Sequence, residues 1–166
     1  MKEVSVSELN LNPYTKIAKD WMLITAGDPS AYNTMTASWG HLGSLWNKPT
    51  AVCYVRPQRY TREFIDRENY YTLCFFPEEY HKALGYLGSH SGRNEDKVAK
   101  VGLTPAFGDG FTYFEEASLV LVCRTLYQAP LQAECFRDKA VMDDMYPDRD
   151  FHDLYIGEIV KVLTSE

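Results

Sequence analysis

A chain of 166 residues with 45% hydrophobic and 24% charged side chains is long enough to bury one substantial core and too apolar for a disordered tail. Its net charge of −6 argues against nucleic acid, because an acidic surface repels the phosphate backbone. The longest apolar run, Ala117 to Val122 with one serine, falls far short of the ~20 residues that span a bilayer, and Met1–Ser5 lacks an apolar stretch of the signal-peptide kind. A single domain over 1–166, cytoplasmic and free of membrane contact, is therefore expected. Cys53, Cys74, Cys123 and Cys135 are widely spaced with no C-x-x-C pair, which predicts reduced thiols and no metal site.

Asn12-Pro13 predicts a short helical turn with proline in the first helical position. Trp21–Ala26 reads as a strand ended by the Gly27-Asp28-Pro29-Ser30 turn, Tyr32–Ser38 as its return, and Thr50–Val55 as a third strand. Thr61 is expected to cap a helix over Arg62–Arg67, with Tyr60 stapled onto Ile65. Tyr70–Phe76 is apolar throughout, as in a strand buried on both faces. Pro77 opens a second helix whose Tyr80, Leu84 and Leu87 share one face. Asn94 is expected to cap a short helix through Val101. Ala117–Tyr127 and Leu154–Leu163 are the late strands, separated by a helix around Ala140–Met145. Many strands with few helices between them oppose a repeating βαβ order and predict a mainly β, antiparallel barrel with helices outside it.

Three segments have the composition of a binding site. Asn33-Thr34-Met35-Thr36-Ala37-Ser38-Trp39-Gly40 is rich in small hydroxyl residues, which let a ligand approach the backbone; read alone, it is equally a solvated strand edge. Arg56-Pro57-Gln58-Arg59-Tyr60-Thr61-Arg62 joins a strand to a helix start, where guanidinium and amide groups converge as they do around an anion, although Glu63 already supplies negative charge there. Gly88-Ser89-His90-Ser91-Gly92-Arg93-Asn94-Glu95-Asp96-Lys97 offers hydroxyls, a glycine amide and two cations to an oxyanion, without the spacing of an ATP or GTP loop.

In order and spacing, Tyr32–Trp46, Arg56–Ile65, Ser91–Leu103 and His152–Ile159 resemble the flavin reductase-like family of FMN-binding split barrels, a resemblance running from about Trp21 to Val160. It implies a Greek-key split β-barrel that binds FMN. Thr34, Thr36, Ala37, Ser38 and Trp39 would then lie along the isoalloxazine and ribityl chain, with Cys53 beside the cofactor. Arg56, Arg59, Thr61, Ser91, Gly92, Arg93 and Lys97 would lie on the phosphate side. His152 would contact substrate or deliver a proton. The family further implies a homodimer and electrons taken from NADH or NADPH and passed to flavin or another small acceptor; a flavoredoxin-like carrier reduced by a protein partner is the alternative. Split barrels acting on pyridoxine phosphate or haem match these segments less well. Members that use pyridine nucleotides often carry Gly-Asp-His before the last strand, where this chain has Asp150-Phe151-His152.

Overall fold

The computed structural model describes residues 1–165. Its strands are β1 (Lys2–Val4), β2 (Met22–Asp28), β3 (Ala31–Ala37), β4 (Gly40–Leu45), β5 (Lys48–Val55), β6 (Tyr70–Phe75), β7 (Pro105–Gly108), β8 (Phe111–Phe114), β9 (Leu119–Pro130) and β10 (Asp153–Thr164). Its α-helices are α1 (Pro13–Ala18), α2 (Tyr60–Arg67), α3 (His81–Ser89), α4 (Lys97–Val101) and α5 (Lys139–Met145). The main sheet is antiparallel in the order β3-β2-β6-β9-β10-β5-β4, with β1 added to the far end of β10. β7 and β8 form a separate hairpin.

The two edges of this sheet, β3 and β4, are consecutive in the chain and separated by Ser38 and Trp39 alone. Three peptide steps from Ala37 to Gly40 reach at most about 11 Å. The sheet must therefore curl until its edges nearly meet, yet β3 pairs only with β2 and β4 only with β5. The result is the split, unclosed barrel expected of the sequence.

Strict alternation on the central strands divides the core in two. Met22, Ile24, Met35, Val55, Tyr71, Leu73, Phe75, Leu121 and Tyr155 face the barrel interior, joined there by Phe64 and Ile65 of α2. Leu23, Cys74, Val120 and Val122 face outward, beneath Leu84 and Leu87 of α3, Val98 of α4, and Phe111 and Phe114 of the hairpin. Strands clothed on both faces read as unbroken apolar runs, which is why Tyr70–Phe75 carries so little polarity. Gly157 lets β10 pass the interior closely: a Cβ there would lie 2.8 Å from that of Cys123.

Several local expectations change. Thr61 does not cap α2; the helix begins at Tyr60 with Arg59 in the cap position, no side chain caps it, and Thr61 lies inside it, fully buried. Tyr60 packs edge-on against Phe64 rather than Ile65. Asp96, not Asn94, caps α4 by accepting from the Ala99 amide at 3.0 Å. Pro77 precedes a single 3-10 turn, and α3 follows from His81. β1, β4 and the β7–β8 hairpin carry no counterpart in the sequence reading. By contrast, Asn12 caps α1 by accepting from Tyr14, with Pro13 in the first turn as expected.

Candidate functional site

A continuous groove follows the open edge of β3. Its first part is a cavity of about 340 Å³ between the start of α2 and the Ser89–Gly92 turn, bordered by Asn33, Arg59, Thr61, Ser91, Gly92 and Lys97. Met35 and Arg59 are shared with a second cavity of about 140 Å³, walled by Thr36, Ala37, Ser38, Trp39, Tyr54, Arg56 and His152. Because β3 is paired on one side only, alternate backbone groups along it point into the split with no strand partner.

The first cavity is electropositive. Lys97 is only 4% exposed, and its ammonium donates to the carbonyls of Leu87 at 2.7 Å and His90 at 2.9 Å. Among the described residues no carboxylate pairs with it, since Glu95 is bonded to Lys100 and Tyr86. Burial, and then the Arg59 guanidinium, bring its pKa down to about 8. Arg59 donates to the Gly88 carbonyl at 3.1 Å and has no acidic partner either. The Thr61 hydroxyl accepts from the Asn33 side-chain amide at 2.8 Å, which leaves its own proton to point elsewhere. Gly92 lies so close to the Asn33 side chain that a Cβ has no room. A buried ammonium and an exposed guanidinium beside an uncapped helix start, in a cavity that only glycine leaves open, fit a phosphate monoester.

Apart from Arg59, which it shares with the first, the second cavity carries no unpaired charge and is walled by aromatic rings. Arg56 faces it but is spent: it pairs with Asp150, donates to the Met145 carbonyl at 3.0 Å and lies over the Tyr146 ring. His152 is 8% exposed, with the Tyr146 hydroxyl 2.8 Å from its Nδ1 and the Trp39 ring 5.3 Å away. Burial, and then the charge of Arg56, hold its pKa down at about 4, and burial raises that of Tyr146. A neutral ring that accepts the phenol proton on Nδ1 keeps its own proton on Nε2. Phe151 turns away into a cluster with Phe136 and Tyr146.

α2 is held in place relative to β10 by an ionic network. Arg62 faces Asp153 at 2.6 Å, and Asp66 accepts from Tyr155 at 2.6 Å and from Gln128 at 2.9 Å. Because Arg59 and Thr61 lie on the same helix and His152 precedes β10, this network sets the distance between the two ends of the groove.

Of the residues singled out from the sequence, Thr36, Ala37, Ser38, Trp39, Arg56, Arg59, Thr61, Ser91, Gly92, Lys97 and His152 come together along this groove. Three others lie elsewhere. Thr34 is fully buried away from the walls of either cavity, its hydroxyl 2.7 Å from that of Thr25. Cys53 is fully buried in the barrel interior, and desolvation pushes its thiol up to about 12. Arg93 pairs with Glu63 and lies over the Tyr60 ring, outside the walls of either cavity. Asn33, the first residue of the segment read as a binding strand, lines the first cavity, whereas Tyr54 and Tyr146 belong to the site but were not singled out. The signal for Tyr54 was present: the alternation that buries Cys53 must turn its neighbour outward.

Fold comparison places the chain beside flavin proteins. An FMN-binding protein from Thermus thermophilus with bound p-hydroxybenzaldehyde superposes with a TM-score of 0.69 at 21% identity, covering 100% of this chain and 83% of the other. Flavoredoxin of Desulfovibrio vulgaris (Miyazaki F) gives 0.69 at 24% identity over 100% and 78%. Nitrilotriacetate monooxygenase component B from Bacillus cereus gives 0.70 at 17% identity over 100% and 82%. At these identities the likeness is one of fold. No curated protein matches the chain significantly by sequence. A sequence profile described as "Flavin reductase like domain" matches residues 14–166, and the chain belongs to that family.

Proposed function

We propose that this protein binds FMN in the groove along β3 and uses it to move electrons to flavin or another small acceptor. The observation that carries the proposal is Lys97, a buried ammonium with carbonyl partners and no counter-ion, beside Arg59 and at one end of a groove whose other end is neutral. A phosphate monoester supplies the missing negative charge; a ring without charge suits the far end. When bound, the flavin supplies the redox chemistry. The chain's own residues do the rest. Lys97, Arg59, Thr61 and Ser91 hold the phosphate, while the unpaired backbone of β3 near Thr36–Ser38 faces the polar edge of the ring. Trp39 shields the ring from water. His152, neutral at physiological pH and anchored by Tyr146, presents Nε2–H as a hydrogen-bond donor to the acceptor.

Calorimetric titration of flavin-free protein with FMN and with riboflavin tests the assignment. FMN should bind at least tenfold more tightly, as a charge-assisted contact of ~1.5–3 kcal/mol requires. Equal affinity for the two removes the phosphate site.

A second reading has its own support. At the ring end Arg56 is neutralised by Asp150, and Phe151 replaces the carboxylate that accompanies the histidine in relatives using pyridine nucleotides. A nicotinamide dinucleotide finds few partners there, which favours a flavoredoxin-like carrier reduced by a protein. Anaerobic mixing with NADH and NADPH separates the readings: rapid, saturable flavin reduction identifies a reductase, slow reduction a carrier. The assembly proposed from the family resemblance is a homodimer, and light scattering that returns a 19.1 kDa monomer with flavin bound rejects it. Free cysteines throughout suit a cytoplasmic setting; no helix among the described residues is long and apolar enough to cross a membrane.

A further inference from the structure

Beyond Trp39 the groove opens into a third and larger cavity of about 620 Å³, between α1, β4 and α5. Ser38, Trp39 and Tyr54 wall both this cavity and the ring end of the groove, so the two are continuous. Ile17, Leu42, Leu131, Phe136, Val141 and Met145 form the body of the third cavity, and none of its lining side chains is an aspartate, glutamate, lysine or arginine. At its inner end, which it shares with the groove, stand two tyrosine–histidine pairs; Tyr54, His41 and Tyr146 are in its wall and His152 in that of the groove. Tyr54 lies 3.4 Å from His41 Nδ1, and Tyr146 lies 2.8 Å from His152 Nδ1. The first contact is long for a hydrogen bond, so the Tyr54 hydroxyl remains able to serve a better acceptor.

We infer that this cavity is the binding site for the electron acceptor, and that the acceptor is an uncharged, planar, carbonyl-bearing molecule of the quinone class. The inference rests on the FMN reading given above. An uncharged wall offers no counter-charge to anionic ferric chelates or nucleotides, and so favours an uncharged ligand over either. A volume of 620 Å³ holds a bicyclic ring together with an apolar tail. A quinone oxygen at the inner end meets Tyr54, and its ring lies against Trp39, next to the flavin position. The reaction balances without a further reactant. Dihydroflavin and quinone give oxidised flavin and hydroquinone, with two electrons and two protons passing from one to the other.

The test is binding rather than turnover. Oxidised, FMN-loaded protein is titrated calorimetrically with menadione and with 2-methylnaphthalene, a match in shape that lacks the carbonyls. Flavin absorbance read on the same samples shows separately whether FMN is held, so loss of the cofactor reading is not mistaken for loss of this one. Menadione should bind one to one, about five- to tenfold more tightly than 2-methylnaphthalene. Tyr54→Phe should bring menadione down to the hydrocarbon's affinity and leave the hydrocarbon unchanged. Val141→Asp, at a half-exposed position on α5, should weaken both by tenfold or more. Absence of saturable binding by menadione overturns the inference, as does a Tyr54→Phe variant with no differential effect. If menadione never binds and Val141→Asp turns a dimer into monomers, the cavity is filled by a second copy of the chain and the inference falls.

Discussion

At the α2 end of the groove, Lys97 is buried and Arg59 is exposed, and neither pairs with a carboxylate among the described residues. At the β10 end, Arg56 is cancelled by Asp150 and His152 is held neutral by its burial. The same groove thus carries an uncompensated charge at one end and a carefully emptied field at the other. A buried cation without a partner costs stability in the ligand-free protein and is repaid only when an anion arrives. A neutral histidine beside an aromatic wall makes no such demand and so serves an uncharged ligand. The difference teaches where binding energy resides: affinity at the cationic end, selectivity at the neutral one.

The largest expected effect breaks the cationic end. Lys97→Met should weaken FMN by one to two decades while changing riboflavin affinity less than twofold. Because the substitution also removes a desolvated charge, the melting temperature of the ligand-free protein should move by only a few degrees in either direction. If FMN and riboflavin weaken together, Lys97 supports the loop rather than the phosphate, and the contrast between the two ends disappears.

The neutral end is tested by acid. His152 titrates near 4 in the folded protein and near 6.5 when unfolded, so the unfolded chain binds the extra proton between these values. Its contribution to stability is complete above pH 6.5 and is lost as pH falls toward 4, by about 3 kcal/mol. Urea unfolding of wild type and His152→Gln at pH 7 and at pH 4.5 measures it: the variant should show a shallower loss on acidification. Parallel losses in the two proteins mean that His152 is not held neutral.

A smaller effect sharpens the contrast from the alkaline side. Lys97 in the free protein is charged below about pH 8 and neutral above it. Phosphate binding needs the charged form, so FMN affinity should fall by about fivefold between pH 8 and 9 as the proton must be taken up on binding. Riboflavin affinity should stay flat over the same range. FMN binding that is level to pH 10 places the phosphate away from Lys97.

The groove was legible in the sequence to the extent that local chemistry reveals it. Small residues at Thr36–Ser38, the Arg59–Thr61 step and the Ser91–Lys97 turn each look like binding segments, and family resemblance orders them. What stayed hidden depends on tertiary placement. Thr34 and Thr36 are identical in type and share one face of β3, yet Thr34 bonds Thr25 on the neighbouring strand while the Thr36 hydroxyl donates to the Leu84 carbonyl of α3. Neither hydroxyl is left for a ligand; the small side chains matter because they expose backbone. β4 went unread because its turn is Trp46-Asn47, both in the left-handed region (φ 53° and 57°), where Asn-Gly is the usual signal. The β7–β8 turn did contain such a signal in Asp109-Gly110, with φ of 78° at the glycine, but the strands flanking it are only four residues long.

Arg93 supplies the smallest effect and the sharpest test of the boundary of the site. From the sequence, the Ser91-Gly92-Arg93 turn places a third cation beside the phosphate. In the fold, the guanidinium instead lies 4.2 Å over the centre of the Tyr60 ring and pairs with Glu63, and it does not line the cavity that holds Lys97. Both members of this pair are exposed, so solvent screens what they contribute and the pair itself stabilises little. Arg93→Ala should therefore change FMN affinity by less than twofold at physiological ionic strength, whereas Arg59→Ala, removing a cavity-lining cation, should cost about tenfold. Titrating both variants with FMN at low and high salt completes the comparison. A small Arg93 effect present only at low salt is long-range attraction; a tenfold loss that persists at high salt would mean that the turn swings Arg93 into the cavity when the phosphate binds. In that case the cationic end is assembled by its ligand, and the excess of charge there is larger than the two residues that now form it.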